Sequence, residues 1–209
     1  MAAVIHIVDD DKSFRTSIGR LLEASGFTVF GYSSASELLA GLRVDEPGCI
    51  LLDLRMPGLN GLELQKRLIE TAPLLPIIFL TGFGDVASTV HAMKAGANDF
   101  LEKPVSGRDL LAAVSRALRG YEAQRAEHDR LAALRALVAS LTPRESRVFE
   151  LMVSGQRNKQ IAYEIGVTER TVKAHRKSIM EKLDAHSFAE TVSIAERLGL
   201  LKAPDQPPE

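Results

Sequence analysis

The sequence predicts an α/β domain with a parallel sheet, then a long helix, then a small all-helical domain. Three observations carry this. Five short β-branched or apolar runs alternate with amphipathic stretches across the first 105 residues, the pattern of strands joined by crossover helices. From Ser106 to Ser140 the composition shifts to Ala, Leu, Arg and Glu, without proline, which favours a single helix. From Leu141 onward, capping signals and a glycine turn delimit a series of short helices.

The strand candidates are "VIHIV" (4–8), "TVFGY" (28–32), "GCILLD" (48–53), "PIIFLT" (76–81) and "NDFLE" (98–102). Between them, "SASE" offers Ser34 and Glu37 as a capping box, and Gly26 and Gly96 suit the left-handed cap of the helices they follow. In the long helix, Gly107 and Gly120 are the weak points. The next helix opens at "LTPRES", where Thr142, Pro143 and Glu145 supply an N-cap, an N1 proline and an N3 acid. Asn158 is expected to cap a short helix through Ile165, with Gly166 at the turn and Thr168 capping a longer helix through about Leu183. A last helix over 187–200 has apolar Ala189, Val192 and Ala195, for packing internally or against a second copy. The closing "APDQPPE" neither continues a helix nor fills a core, and is read as a disordered tail.

With 209 residues, 45% hydrophobic and 25% charged, the composition is that of a globular protein with room for two cores. The apolar run "LLPIIFL" at 74–80 is too short to span a bilayer, and no basic, apolar leader precedes the first strand. A cytoplasmic protein with no membrane association is expected. The single cysteine, Cys49, lies in the apolar "CILL" and reads as a buried, inert thiol. The net charge of −1 hides an asymmetry: residues 1–105 hold 9 Lys/Arg against 13 Asp/Glu, and residues 141–202 hold 11 against 8. Two domains with different partners follow.

The chemistry begins at "IHIVDDDKSF". Asp11 is explained as the cap of the following helix. Asp9 and Asp10 are not, because adjacent carboxylates repel unless a cation sits between them. Open parallel sheets bind ligands beyond the carboxyl ends of their strands, and there the third strand supplies Asp53 while the fourth ends at Thr81. Mg²⁺ held by Asp10 and Asp53, with Asp9 acting through water, would let one carboxylate attack a phosphoryl group in line. Asp53, in "LLDLRMPG" before a turn that would expose it, is the nucleophile of choice. The Thr81 hydroxyl and the Lys103 ammonium of "DFLEKPV" would hold the transferred group.

In the helical half, "NKQIAYEIGVTERTVKAHRKSIMEKL" carries the helix-turn-helix signature. At 100° per residue, Val172, Ile179 and Leu183 share one face, and Arg170, Lys173, Ala174 and Lys177 point the other way. Small Ala174 between long cations allows close approach to base edges. Lys173 and Lys177 are assigned to bases or phosphates, and Lys159, Thr168 and Thr171 to the backbone of double-stranded DNA. His175 is assigned to packing.

The set "VDDD", "LLDLRMPGLNG", "FLTGFGD" and "DFLEKPV", in that order, resembles the receiver domain of two-component response regulators, and residues 141–201 resemble the LuxR-type helix-turn-helix output domain. The "TGFGD" loop and uninterrupted connector are most similar to the FixJ/NarL subgroup. The resemblance implies a flavodoxin-like, doubly wound sheet of order 2-1-3-4-5, and division into a receiver at 1–120, a helical linker at 121–140, a four-helix output domain at 141–201 and a tail at 202–209. It implies phosphorylation of Asp53 by a sensor histidine kinase, and Mg²⁺ bound by Asp9, Asp10, Asp53 and the backbone carbonyl of Arg55. Thr81, with Gly82 beside it, and Phe100 would form the switch, and the Lys103–Pro104 bond would be cis. Phosphorylation would make a homodimer that binds promoter half-sites, meets RNA polymerase and activates transcription.

Some positions depart from the pattern. Phe100 stands where many relatives carry Tyr, Gly82 replaces a small Ala, and Phe83 replaces a polar residue and would shield an acyl phosphate from water. Two other classes fit the residues less well. A metal-dependent phosphatase would want an acid two residues beyond its nucleophile, where Arg55 stands, and a small-molecule sensor would want an aromatic-rich pocket in place of the acids.

Overall fold

The structure, a computed structural model, describes residues 3–42, 46–82 and 86–201, with residues 86–89 by backbone alone. The expectations for Phe83 and for the tail at 202–209 lie outside the described residues. The chain divides into two compact units after Ala126. No helix among the described residues is long and apolar enough to cross a membrane.

The first unit is an all-parallel sheet of β1 (Val4–Val8), β2 (Thr28–Tyr32), β3 (Gly48–Asp53), β4 (Ile77–Thr81) and β5 (Asp99–Glu102), in the order β2-β1-β3-β4-β5. The first three strands have the bounds the sequence predicts, β4 and β5 each begin one residue later than predicted, and the order is the one the resemblance implies. Helices α1 (Lys12–Ala24), α2 (Ala35–Gly41), α3 (Gly61–Thr71) and α4 (Val86–Lys94) make the crossovers, and α5 (Gly107–Ala139) follows β5. The three central strands are buried at every position and read as nearly continuous apolar runs because helices cover both faces, with His6 the polar exception inside β1 and Asp53 and Thr81 at the ends of β3 and β4. Alternation sorts their side chains into two cores. Val8, Ile50, Leu52, Ile77 and Phe79 pack with Leu38, Leu64 and Leu68; Ile5, Ile7, Cys49, Leu51, Ile78 and Leu80 pack with Leu22, Leu110 and Val114. Burial pushes the Cys49 thiol up to about 12, in keeping with an inert group.

Helix boundaries follow local chemistry, with small differences. Asp11 caps α1, accepting from the backbone N–H of Ser13 and Phe14. Gly26 and Gly96 have φ of 90° and 94° after α1 and α4. Ser34 caps α2, but Glu37 closes the box one residue early, accepting from Ser33 instead of Ser34. Ser106 caps α5, which runs through Gly120 to Ala139.

The second unit contains α6 (Pro143–Val153), α7 (Asn158–Ile165), α8 (Glu169–Lys182) and α9 (Phe188–Arg197), packed about Val148, Met152, Ile161, Val172, Ile179, Leu183 and Ala195. Thr142, Pro143 and Glu145 form the expected capping box. Asn158 is the first residue of α7, so Arg157 takes the cap position and the Gln160 side chain accepts its N–H. In α9, Ala195 is buried but Ala189 is exposed and Val192 only partly buried. Thr191 takes the inward position instead, its hydroxyl satisfied by the Ser187 carbonyl at 3.1 Å. A threonine that bonds back to its own helix needs no other partner, so it buries like an apolar residue.

Candidate functional site

Register assembles the acidic site. Val8 lies opposite Leu52, so one more residue on each strand sets Asp9 beside Asp53 at the carboxyl end of the sheet. Asp10 follows, and one oxygen from each of the three carboxylates lies within 4.8 Å of the others. Asp9 is fully buried, Asp53 is 7% exposed and Asp10 is exposed. The turn after Asp53 thus leaves it more enclosed than the sequence suggests. Gly61 explains the enclosure: a Cβ there would stand 2.5 Å from the Asp53 carbonyl oxygen, so α3 starts against the backbone that carries Asp53.

On the far side, Lys103 N–H donates to the Thr81 carbonyl at 2.8 Å, turning the chain back over the strand ends. The Lys103 ammonium then bridges Asp9 at 2.7 Å and Asp53 at 2.8 Å. Its peptide bond to Pro104 is cis, as the resemblance implies. The other Asp53 oxygen accepts from the Arg55 N–H at 3.1 Å, and Asp9 accepts from the Asp11 N–H at 2.9 Å. The Thr81 hydroxyl is buried and donates to the Gly82 carbonyl at 3.1 Å. Phe100 lies opposite Phe79 on the edge strand β5, exposed.

Burial pushes the Asp9 carboxyl above its ordinary value, against the hydrogen bond from Lys103. Burial also opposes charge on Lys103, but its bonds to Asp53 and Asp9 outweigh this and hold the ammonium above its ordinary range. One ammonium among three carboxylates leaves a formal charge of about −2 when all are ionised. That balance, with only oxygen donors facing inward, fits a hard divalent cation such as Mg²⁺.

Three contributors were not legible in the sequence. Gly61 is one. Phe14 is the second: its ring lies 4.5 Å from the Lys103 ammonium. Arg15 is the third, donating to the Asp9 carbonyl. Each acts on a residue distant in the chain or through the backbone, and only the hydrophobic period of α1 hints that Phe14 faces inward.

In the second unit, Gly166 at φ 68° turns the chain from α7 into α8, and Thr168 caps α8, its hydroxyl accepting the Thr171 N–H. Val172, Ile179 and Leu183 are buried, while Arg170, Lys173, Ala174 and Lys177 form an exposed row. Lys159 and Thr168 are exposed, and Thr171 and His175 partly buried. Glu145, beyond its capping role, reaches from α6 to the back of α8, accepting from Ser178 at 2.7 Å and Lys182 at 2.6 Å.

The response regulator receiver domain family matches residues 5–115, and the luxR family of bacterial regulatory proteins matches residues 139–195. The chain is a two-component response regulator. It is 42% identical to the transcriptional regulatory protein FixJ of Azorhizobium caulinodans, over 98% of this chain and 97% of that protein. It is 41% identical to nodulation protein W of Bradyrhizobium diazoefficiens, over 95% of this chain and 87% of that one. Among solved structures, the response regulator StyR is similar at a TM-score of 0.82 and 42% identity, covering 94% of this chain and all of that one. The two domains of this response regulator are those of a transcription regulator, not of a catalytic family, and they imply a kinase partner and DNA binding.

Proposed function

We propose that Asp53 is the phosphoacceptor, and that phosphorylation there pairs two copies of this regulator on DNA. The observation that carries this is the Lys103 ammonium bridging Asp9 and Asp53 beside exposed Asp10, at the carboxyl ends of the strands. One Asp53 oxygen attacks the phosphorus of a phosphohistidine on a sensor kinase; the P–O bond forms as the P–N bond breaks, and the histidine nitrogen leaves with the electron pair. Lys103, already against Asp53, accompanies the incoming negative charge. The Thr81 hydroxyl leaves the Gly82 carbonyl and donates to a phosphoryl oxygen. Asp9, Asp10, Asp53 and the Arg55 carbonyl would hold Mg²⁺, which when bound neutralises charge on the transferring oxygens. The acyl phosphate is later lost to water at the same site.

Thr81 and Phe100 on neighbouring strands form the switch, with the turn at Lys103–Pro104 joined to Thr81 through the Lys103 N–H. Val90 and Met93 on α4 and Phe100 on β5 are large exposed apolar groups, which supports pairing of receivers through that face. Receiver, linker and output domain are assigned to 1–120, 121–140 and 141–201. Lys173 and Lys177, with Arg170 and Ala174 beside them, enter the major groove, while Lys159, Thr168 and Thr171 meet phosphates. The protein acts in the cytoplasm as an activator and contacts RNA polymerase there.

Asp53→Asn is expected to abolish labelling by acetyl phosphate with Mg²⁺, because an amide cannot supply the attacking oxygen, and EDTA is expected to abolish it in the wild type. Stoichiometric base-labile incorporation into Asp53→Asn would show that another residue is the nucleophile.

A further inference from the structure

We infer that Phe14 is a positioning residue for the phosphorylation site: the face of its ring holds the Lys103 ammonium against Asp9 and Asp53. This rests on the reading of Asp53 as the phosphoacceptor. The ammonium lies 4.5 Å from the ring centroid, well inside the range over which a cation is drawn to the negative face of an aromatic ring. Lys103 needs such help. Its four-carbon stem is flexible, and its side chain remains 23% exposed even beside the ring, so water screens its ion pairs to the carboxylates and they hold it less firmly than buried pairs would.

Phe14 can give that help because it is itself fixed. It lies in the first turn of α1, where its N–H donates to the capping Asp11 carboxylate at 3.2 Å, and it packs against the core that contains Ile18 and Leu22. The contact also commits no strong hydrogen-bond acceptor to the ammonium. An ammonium has three N–H groups; Asp9 and Asp53 take two, and a ring face is so much weaker an acceptor than a phosphoryl oxygen that the third can turn to one when it arrives. A polar neighbour in the same place would compete for it.

Two consequences of opposite sign follow. Held by the ring, Lys103 competes with a divalent cation for the Asp9 and Asp53 oxygens, so loosening it frees those oxygens and tightens cation binding. The same loosening leaves the ammonium displaced when negative charge arrives, so phosphorylation slows. Damage to the fold would weaken both.

The test uses the full-length protein with Phe14→Leu, which keeps apolar bulk without the ring, and Phe14→Tyr, which keeps the ring. Mg²⁺ affinity is measured by titration calorimetry without phosphodonor, and phosphorylation rate with acetyl phosphate at saturating Mg²⁺. Phe14→Leu is expected to bind Mg²⁺ about threefold to tenfold more tightly and to be phosphorylated more slowly by a similar factor, with Phe14→Tyr within about twofold of wild type in both. In a Lys103→Met background, Phe14→Leu is expected to leave Mg²⁺ affinity unchanged. Normal rate and affinity in Phe14→Leu, loss of both together, or an effect that persists without Lys103 each overturns the inference while leaving Asp53 as phosphoacceptor. Absence of base-labile phosphate in the wild type, or its persistence in Asp53→Asn, overturns the site reading and the inference with it.

Discussion

At single residues, the site divides into what charge announces and what space imposes. Asp9, Asp10, Asp53, Thr81 and Lys103 were legible because ionisable or hydroxyl groups at strand ends have few structural reasons to be there. Gly61 was not, since its role is an absent side chain, and the backbone it touches lies eight residues earlier. The two glycines flanking the site therefore make a paired prediction. A Cβ on Gly61 would meet the Asp53 carbonyl at 2.5 Å and the Phe79 ring at 3.1 Å, whereas one on Gly82 would meet nothing within 4 Å. Gly61→Ala is expected to cost about 1–3 kcal/mol in urea unfolding of the receiver and to slow phosphorylation, as overpacking does. Gly82→Ala is expected to stay within about 0.5 kcal/mol of wild type. Equal stability of the two variants would mean that α3 yields to the added methyl without moving Asp53.

At the scale of elements, the strands were legible because the run of apolar residues and the strand coincide when both sheet faces are covered. The miss in α9 has the opposite cause: Ala189 and Thr191 differ little in size, and a threonine whose hydroxyl is satisfied within its own helix escapes the period of apolar residues. Glu145 was seen as a cap, but its hold on α8 depends on a partner more than 30 residues away. The Lys182 ammonium, the Thr142 N–H and the Ser178 hydroxyl hold its carboxyl at about 2, from an ordinary 4.5. A depressed carboxyl contributes stability that is fully present above the unfolded value and lost as pH falls through the folded one. The output domain is therefore expected to lose melting temperature between about pH 4.5 and 2 more steeply in wild type than in Glu145→Gln. Parallel curves would show that the bonds to α8 form equally with the neutral acid. On the opposite face of α8, Lys177 lies 3.7 Å from exposed Glu181, a contact worth little in water and easily given up. Lys173→Ala or Lys177→Ala is expected to cost about 1–3 kcal/mol of DNA affinity where the side chain reads a base, and less, with a shallower salt dependence, where it meets phosphate. A double variant with unaltered binding across a salt titration would place another element in the groove.

At the scale of the whole molecule, phosphorylation in one unit has to change DNA binding by the other, and two physical routes exist. In one, the receiver covers α8 until it is phosphorylated. In the other, phosphorylated receivers pair, and pairing raises the local concentration of output domains at a double site without altering either one. The exposed Val90, Met93 and Phe100 supply a surface for the second route, and the exposed row on α8 is complete within its own unit, needing nothing from the receiver to form. A fragment of residues 137–209 keeps Leu137 and Val138, which pack on the output core, and it is expected to bind a single half-site about as tightly as the unphosphorylated full-length protein. Phosphorylation is expected to strengthen binding to a double site far more than to a half-site, in band-shift titrations at fixed salt. Gly120 supplies the control. A methyl there meets nothing within 4 Å, so Gly120→Ala stiffens α5 by about 1 kcal/mol of helix propensity. Under pairing, that variant still responds to acetyl phosphate. Should the fragment bind the half-site about tenfold or more tightly than the unphosphorylated protein, and Gly120→Ala lose its response, the receiver acts as a cover that swings away at Gly120, and pairing is not what switches this regulator on.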